Sequence, residues 1–217
     1  MISLERHGDL YLLDLGDGDN RFDGDSVARI NVAIDEVERA DHATALVTKA
    51  QGKIWSNGLD LDYLGTLDDF VPFVADVQRI MARLLELPMP TVAAVQGHAF
   101  AGGAMLALAH DVRIMRRDRG YLCLPEIDLG MSFGEGFAAL IAAKLPQPAL
   151  QRLAVLGERM PAETAHQLGV VDHTAILEDL LPRSIVIAEG LAAKAKPALA
   201  TIRADFYAET IAALRGT

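Results

Sequence analysis

Two short stretches of this 217-residue chain stop a strand-like run with small residues: WSNGLDL at residues 55–61 and VQGHAFAGGAMLALAHD at residues 95–111. Glycine tolerates backbone conformations that a side chain blocks, so such breaks let main-chain N–H groups point freely into a cleft. Two N–H groups converging on one point form an oxyanion hole, worth about 2.7–4 kcal/mol per donor in acyl chemistry. The same glycines also suit ordinary strand-to-helix turns, and glycine content alone leaves both readings open.

Other residues invite competing chemistry. GMSFG, around Ser132, satisfies the G-x-S-x-G pattern of a hydrolase nucleophile, with Asp172 and His173 downstream. That elbow needs a buried strand running into the serine, which Pro125, Glu126 and Asp128 spoil, and adjacent Asp and His diverge on an extended segment. His98 sits beside the second break, where it either touches a ligand or serves as a turn residue with one ring nitrogen bonded to backbone. The six histidines lack metal-ligand spacing, so no metal is expected. Cys123, alone, reads as a small buried hydrophobe. Lys49 and Lys53 flank the first break, where they either meet phosphates or stay solvated, and Trp55 reads as packing beneath its loop.

The elements that must position these residues follow from patterning. Hydrophobic residues make up 51% and charged residues 23%, as in a globular domain. The net charge of −10 and the lack of a basic run argue against nucleic-acid binding, while a small anionic ligand needs only a few local cations. Charges within the first ten residues do not fit a signal peptide, and no apolar run reaches the roughly 18 residues of a membrane span, so a cytoplasmic enzyme or binding protein is expected.

A hairpin turning at His7-Gly8-Asp9 comes first. An acidic loop follows that fails the calcium-loop pattern, then a helix at 25–40 capped by Asp25 or Ser26. Strands at 43–50 and 90–97 are apolar on both faces, as a helix-covered parallel sheet demands. A helix at 67–87 lies between them. Beyond lie a helix at 101–110, strands at 111–117 and 121–124, a loop at 125–136, three helices, a brief strand at 170–173, and helix to about 214 with a break at Lys196-Pro197. The class is α/β, divided softly into a core at 1–150 and a helical C-terminal region at 151–217.

Taken together, WSNGLDL, GHAFAGGAM and PEIDLG, in this order and spacing, resemble the enoyl-CoA hydratase/isomerase (crotonase) family. The resemblance implies a ClpP-like spiral of β-β-α units, trimers or dimers of trimers, and a coenzyme A thioester lying across both loops. Coenzyme A is then part of the substrate, with no separate cofactor. By position, the oxyanion donors are the N–H groups of Asn57 and Gly102, and Ala101 replaces the first glycine of the usual run. Ser56, Gly58, Leu59 and Asp60, with Met105 and Glu135, are carried over as substrate-binding.

Family hydratases use two glutamates, because one group must deprotonate water while another handles the proton at C2. Here those positions hold Met105 and Glu126. The sequence is therefore similar to the Δ3,Δ2-enoyl-CoA isomerases, with Glu126 as sole proton shuttle. Hydration using Glu135 as a replacement acid, thioester hydrolysis, and a non-catalytic acyl-CoA binder are the alternatives.

Overall fold

The computed structural model describes residues 1–217. β1 (Ser3–His7) pairs antiparallel with β2 (Leu10–Asp14) across the expected turn, with Ser3 opposite Asp14. β3 (Arg21–Phe22) leads into α1 (Gly24–Glu38). Its cap is Asp23, earlier than expected: the carboxylate accepts the Ser26 N–H at 2.8 Å while Ser26 Oγ accepts the Asp23 N–H at 2.8 Å. Ser26 thus completes a reciprocal capping box from inside the helix instead of starting it.

The chain then repeats a long strand, a short strand and a helix. The first unit is β4 (Leu46–Lys49), β5 (Ile54–Ser56) with the two-residue β6 (Gly58–Leu59), the single turn α2 (Leu61–Leu64), and α3 (Val71–Glu86). The second is β7 (Thr91–Val95), β8 (His98–Phe100) and α4 (Gly102–Ala109); the third is β9 (Val112–Arg116), β10 (Leu122–Cys123) and α5 (Glu126–Leu129). Long strands build a six-stranded sheet, completed by β11 (His173–Ala175), in the order β1-β2-β4-β7-β9-β11, parallel from β2 onward. Short strands stack as a second parallel sheet, β10-β8-β5, while β3 and β6 pair separately.

Within the stretch expected to be loop, residues 126–129 form the one-turn α5, ended by Gly130 at φ +65°. Next come α6 (Gly134–Lys144), α7 (Gln147–Leu150), a π-helical turn at Gln151–Val155, α8 (Ala162–Gln167), α9 (Leu177–Ala192) and α10 (Pro197–Arg215). One face of the large sheet packs on the main core; the other puts Leu10, Val47, Val92 and Ile114 against Leu180 and Ala188 of α9. Burial on both faces is why β4 and β7 read as unbroken apolar runs. The main core includes Leu153, Ala165 and Leu214 beside residues of the 1–150 stretch, and β11 pairs with β9, so both stretches share it.

α10 crosses α3 and α6 and is held by a buried arginine. Arg203, 4% exposed, donates to the carbonyls of Leu87 and Met89 and to Asp111, which also accepts the Thr91 N–H at 2.7 Å. Removing Arg203 leaves the Leu87 and Met89 carbonyls without their donor and Asp111, a third exposed, without its cation, a loss of about 2–4 kcal/mol. We expect Arg203→Ala to lose stability on that scale in denaturant titrations, with hydrogen exchange rising first along 197–215.

Candidate active site

The first break is fixed from below. Ser56 is fully buried; its Oγ donates to the Asn20 carbonyl at 2.8 Å and accepts the Gly58 N–H at 3.2 Å. Asn20 reaches up with its amide nitrogen to the carbonyls of Ile54 and Trp55, each at 3.1 Å. Gly58 has φ +77°, and a Cβ there would stand 2.6 Å from the Gly102 nitrogen and 3.0 Å from the Phe100 carbonyl. Glycine is required twice over, for its conformation and because the backbone of the second break lies against it. Gly103 answers from the other side, where a Cβ would stand 2.2 Å from the Ser56 carbonyl.

This arrangement corrects the oxyanion assignment. The Asn57 N–H donates to the Asp19 carbonyl at 3.0 Å and is already committed. The Asp60 N–H donates to the Phe22 carbonyl at 3.0 Å, toward β3. Counted from Asp60, alternation along the strand turns the Leu59 N–H to the opposite edge of β6, which pairs with no other strand; the left-handed Gly58 separates this register from that of Asn57. Leu59 lines the main pocket.

At the second break, Ala101 donates its N–H to the Cys123 carbonyl at 3.0 Å and adopts φ 49°, ψ −125°, a conformation suited to the glycine it replaces. Gly102 opens α4, so its N–H lacks an intrahelical acceptor and sits at the positive end of the helix dipole. One turn inside, Met105 is 2% exposed and lines the pocket.

Glu126 faces the same cavity, of about 1080 Å³, from the first residue of α5. It is 7% exposed, and its Oε2 is buried without a hydrogen-bond partner. Burial pushes its carboxyl up to about 7, opposed only by its own backbone N–H. Leu59, Gly102, Met105 and Glu126 therefore meet in one largely apolar pocket, which is what a proton transfer next to a stabilised oxyanion requires.

Several expected contacts go elsewhere. Asp60 caps α2, accepting the N–H groups of Asp62 at 3.0 Å and Tyr63 at 3.2 Å, because a short helix at that point needs its first amides satisfied. Glu135 is exposed in the first turn of α6 and faces a separate groove with Asp205 and Phe206 of α10. Ser56 and Gly58 build the loop without lining the pocket, whereas Asn57 lines it by means other than its N–H. Lys49 is paired with Asp14, and Lys53 opens onto a different cleft beside Arg116 and Arg119. Ser132 does line the pocket, but Asp172 accepts the Arg113 N–H at 2.8 Å and its guanidinium at 3.2 Å, leaving no triad.

Trp55 is fully buried and meets His110 edge-on, with ring centroids 6.4 Å apart. Cys123 is buried with its thiol on the Gly157 carbonyl at 3.4 Å. His98 departs from the turn-residue reading: it lies on β8 and lines the pocket, its ring 5.2 Å from Phe100 and 5.5 Å from Tyr121, and its Nδ1 has no partner. Burial, followed by the charges of Arg119 and Arg159, holds it below the usual imidazole range. Pocket residues the sequence reading missed include Arg159 and, on α3, Val71, Val74 and Gln78. Their i, i+3, i+7 spacing puts them on one helix face, a signal present in the sequence but with no direction attached. No group of three or more His, Cys, Asp or Glu is placed to hold a metal ion.

Comparison with known proteins agrees with this geometry. The family model described as enoyl-CoA hydratase/isomerase matches residues 15–215. Among curated proteins, the peroxisomal enoyl-CoA delta isomerase 2 of Arabidopsis thaliana is 39% identical, covering 96% of this chain and 93% of the relative. Enoyl-CoA delta isomerase 3 of the same plant is 37% identical over the same shares. Among solved structures, a probable enoyl-CoA hydratase from Mycobacterium tuberculosis superposes with a TM-score of 0.91 at 27% identity, covering 99% of this chain and 92% of that one. The spiral of β-β-α units is thus the crotonase fold, and the chain is a member of the enoyl-CoA hydratase/isomerase family.

Proposed function

We propose that the protein isomerises 3-enoyl-CoA thioesters to 2-enoyl-CoA, with Glu126 as the only proton carrier. Its carboxylate takes a proton from C2, and the electron pair moves into the thioester carbonyl to give a dienolate. The N–H groups of Leu59 and Gly102 hold the resulting oxyanion. The same carboxylic acid then returns the proton to C4, and the double bond ends between C2 and C3. Nothing is oxidised or reduced, and coenzyme A enters only as part of the substrate.

The observation that carries this reading is a single buried carboxyl facing two main-chain amide positions in an apolar pocket. Met105 stands where a hydratase needs its second acid, and the exposed Glu135 faces a separate groove, so neither glutamate position supplies the second carboxylate that a hydratase uses. The naming of curated relatives as enoyl-CoA delta isomerases supports it. Assembly as a homotrimer or a dimer of trimers belongs to the same reading, with the exposed side chains of Ile127, Leu156 and Phe206 offering apolar surface for copies to bury. So does a cytoplasmic location; no helix is long and apolar enough to cross a membrane, and two of the Arabidopsis relatives are named peroxisomal.

Following conjugation in the ultraviolet with a 3-enoyl-CoA and a 2-enoyl-CoA separately distinguishes isomerase, hydratase and inert binder. We expect the first to gain conjugation and the second to stay unchanged; loss of conjugation from the 2-enoyl thioester would assign a hydratase. Glu126→Gln should abolish turnover while Glu135→Gln stays within about twofold of wild type, since an exposed surface charge contributes little. Because the base must be ionised, kcat/KM should fall about tenfold per pH unit below about 7.

Stability should move the opposite way. A carboxyl raised from 4.5 to about 7 stabilises the fold fully below 4.5 and loses that contribution as pH rises through 7. Glu126→Gln escapes the loss, so relative to wild type it should gain about 1–2 kcal/mol between pH 4.5 and pH 8, allowing for solvent screening. Gly58→Ala, whose methyl would strike the Gly102 nitrogen, should lower kcat at least about a hundredfold by separating the two donors.

A further inference from the structure

The acyl end of the pocket has a wall that an alkyl chain does not need. On α3, Val71 is 63% exposed at the mouth, Val74 is half-buried one turn further in, and Gln78 lies one turn beyond that, about 10 Å along the helix from Val71. Met105 and Phe137 face them from α4 and α6. Gln78 is backed by α6 and α10: a Cβ on Gly136 would stand 2.9 Å from the Gln78 amide nitrogen and 2.9 Å from the Ala213 carbonyl of α10. The missing side chain lets α3, α6 and α10 close together at this point.

Gln78 makes no side-chain hydrogen bond within the protein, although its neighbours Asp76 and Arg79 pair with each other. Its amide atoms are not sealed off either, since they are absent from the fully buried unpartnered groups. A free donor and a free acceptor therefore lie beside Val71, Val74, Met105 and Phe137 in the pocket lining. A terminal methyl pressed against that amide would strip its water and return no bond, whereas a hydroxyl satisfies it.

We infer that the enzyme selects acyl chains bearing an oxygen function at the end remote from the thioester, and that Gln78 is the residue reading it. This rests on the isomerase reading for the position of the thioester. Selectivity has a depth: chains too short to reach Gln78 gain nothing from the oxygen, and one chain length gains most.

The test compares 3-enoyl-CoA thioesters with and without a terminal hydroxyl, in a series of increasing length, on wild type and on the volume-conserving Gln78→Met. We expect a wild-type preference of about tenfold in kcat/KM for the hydroxylated partner at one length, carried mainly by KM, and reversal in Gln78→Met. A wild-type enzyme that prefers the methyl-ended chain, or shows no preference at any length, overturns the inference while leaving the isomerase intact. So does a Gln78→Met variant that keeps the wild-type ratio. If no thioester in the series is isomerised, it is the proposed function that fails. Calorimetric affinities for the matching saturated acyl-CoA pairs then decide Gln78's role by the same tenfold criterion. Should the variant not fold, the wild-type series alone is decisive.

Discussion

One backbone contact organises this protein: Gly58 lying against the nitrogen of Gly102, with room between them for no carbon atom. The approach sets two loops from different turns of the spiral edge to edge, and each brings one main-chain donor. Everything beneath serves to hold it. Ser56 ties the first loop to Asn20, Asn20 holds the carbonyls before the break, and Gly103 lets β5 sit directly on the start of α4. In the proposed reaction, donors fixed in this way need not reorganise when charge develops, and that would be the source of their strength.

Set against that fixed pair is a group the surroundings treat badly. Glu126 is buried without a partner for one oxygen, in a wall of apolar side chains, and the resulting rise in its proton affinity is a stability loss accepted at neutral pH. Ala101 adds a second local penalty by holding a glycine-like conformation with a methyl group. Both sit beside the pocket, while the compensating order lies elsewhere, in the two-sided core of the sheet and in Arg203 pinning α10.

Much of this was legible in the chain. Unbroken apolar runs located β4 and β7, buried on both faces, and helical periodicity located α1 and α3, while Gly58 and Gly102 drew attention only as part of the three motifs taken together. What failed was whatever depended on partners distant in sequence. Asn57 looked free until the Asp19 carbonyl, thirty-eight residues up the chain in the loop before β3, was placed on its N–H. Asp60 and Glu135 are ligand contacts by their places in the family pattern, yet one caps a helix and the other faces α10. His98 was misjudged in the other direction: its strand gave no hint of which face would meet the pocket.

The exchange of a carboxylate for Met105 does more than delete a catalytic group. Two carboxyls sharing a cavity would couple, one being driven up in proton affinity and the other down, so that one accepts readily and the other gives. With a thioether in that place, burial sets Glu126 against its own backbone N–H alone, and it settles near 7. A group that must take a proton at C2 and surrender the same proton at C4 gains from standing midway, since a stronger base would retain it and a weaker one would not remove it. Hydration asks for two groups with divided tasks, whereas a shift of one double bond asks for one group evenly poised. In the proposed mechanism, the single apolar residue one turn into α4 thus removes the second carboxylate and, at the same time, leaves Glu126 suited to a shift of one double bond.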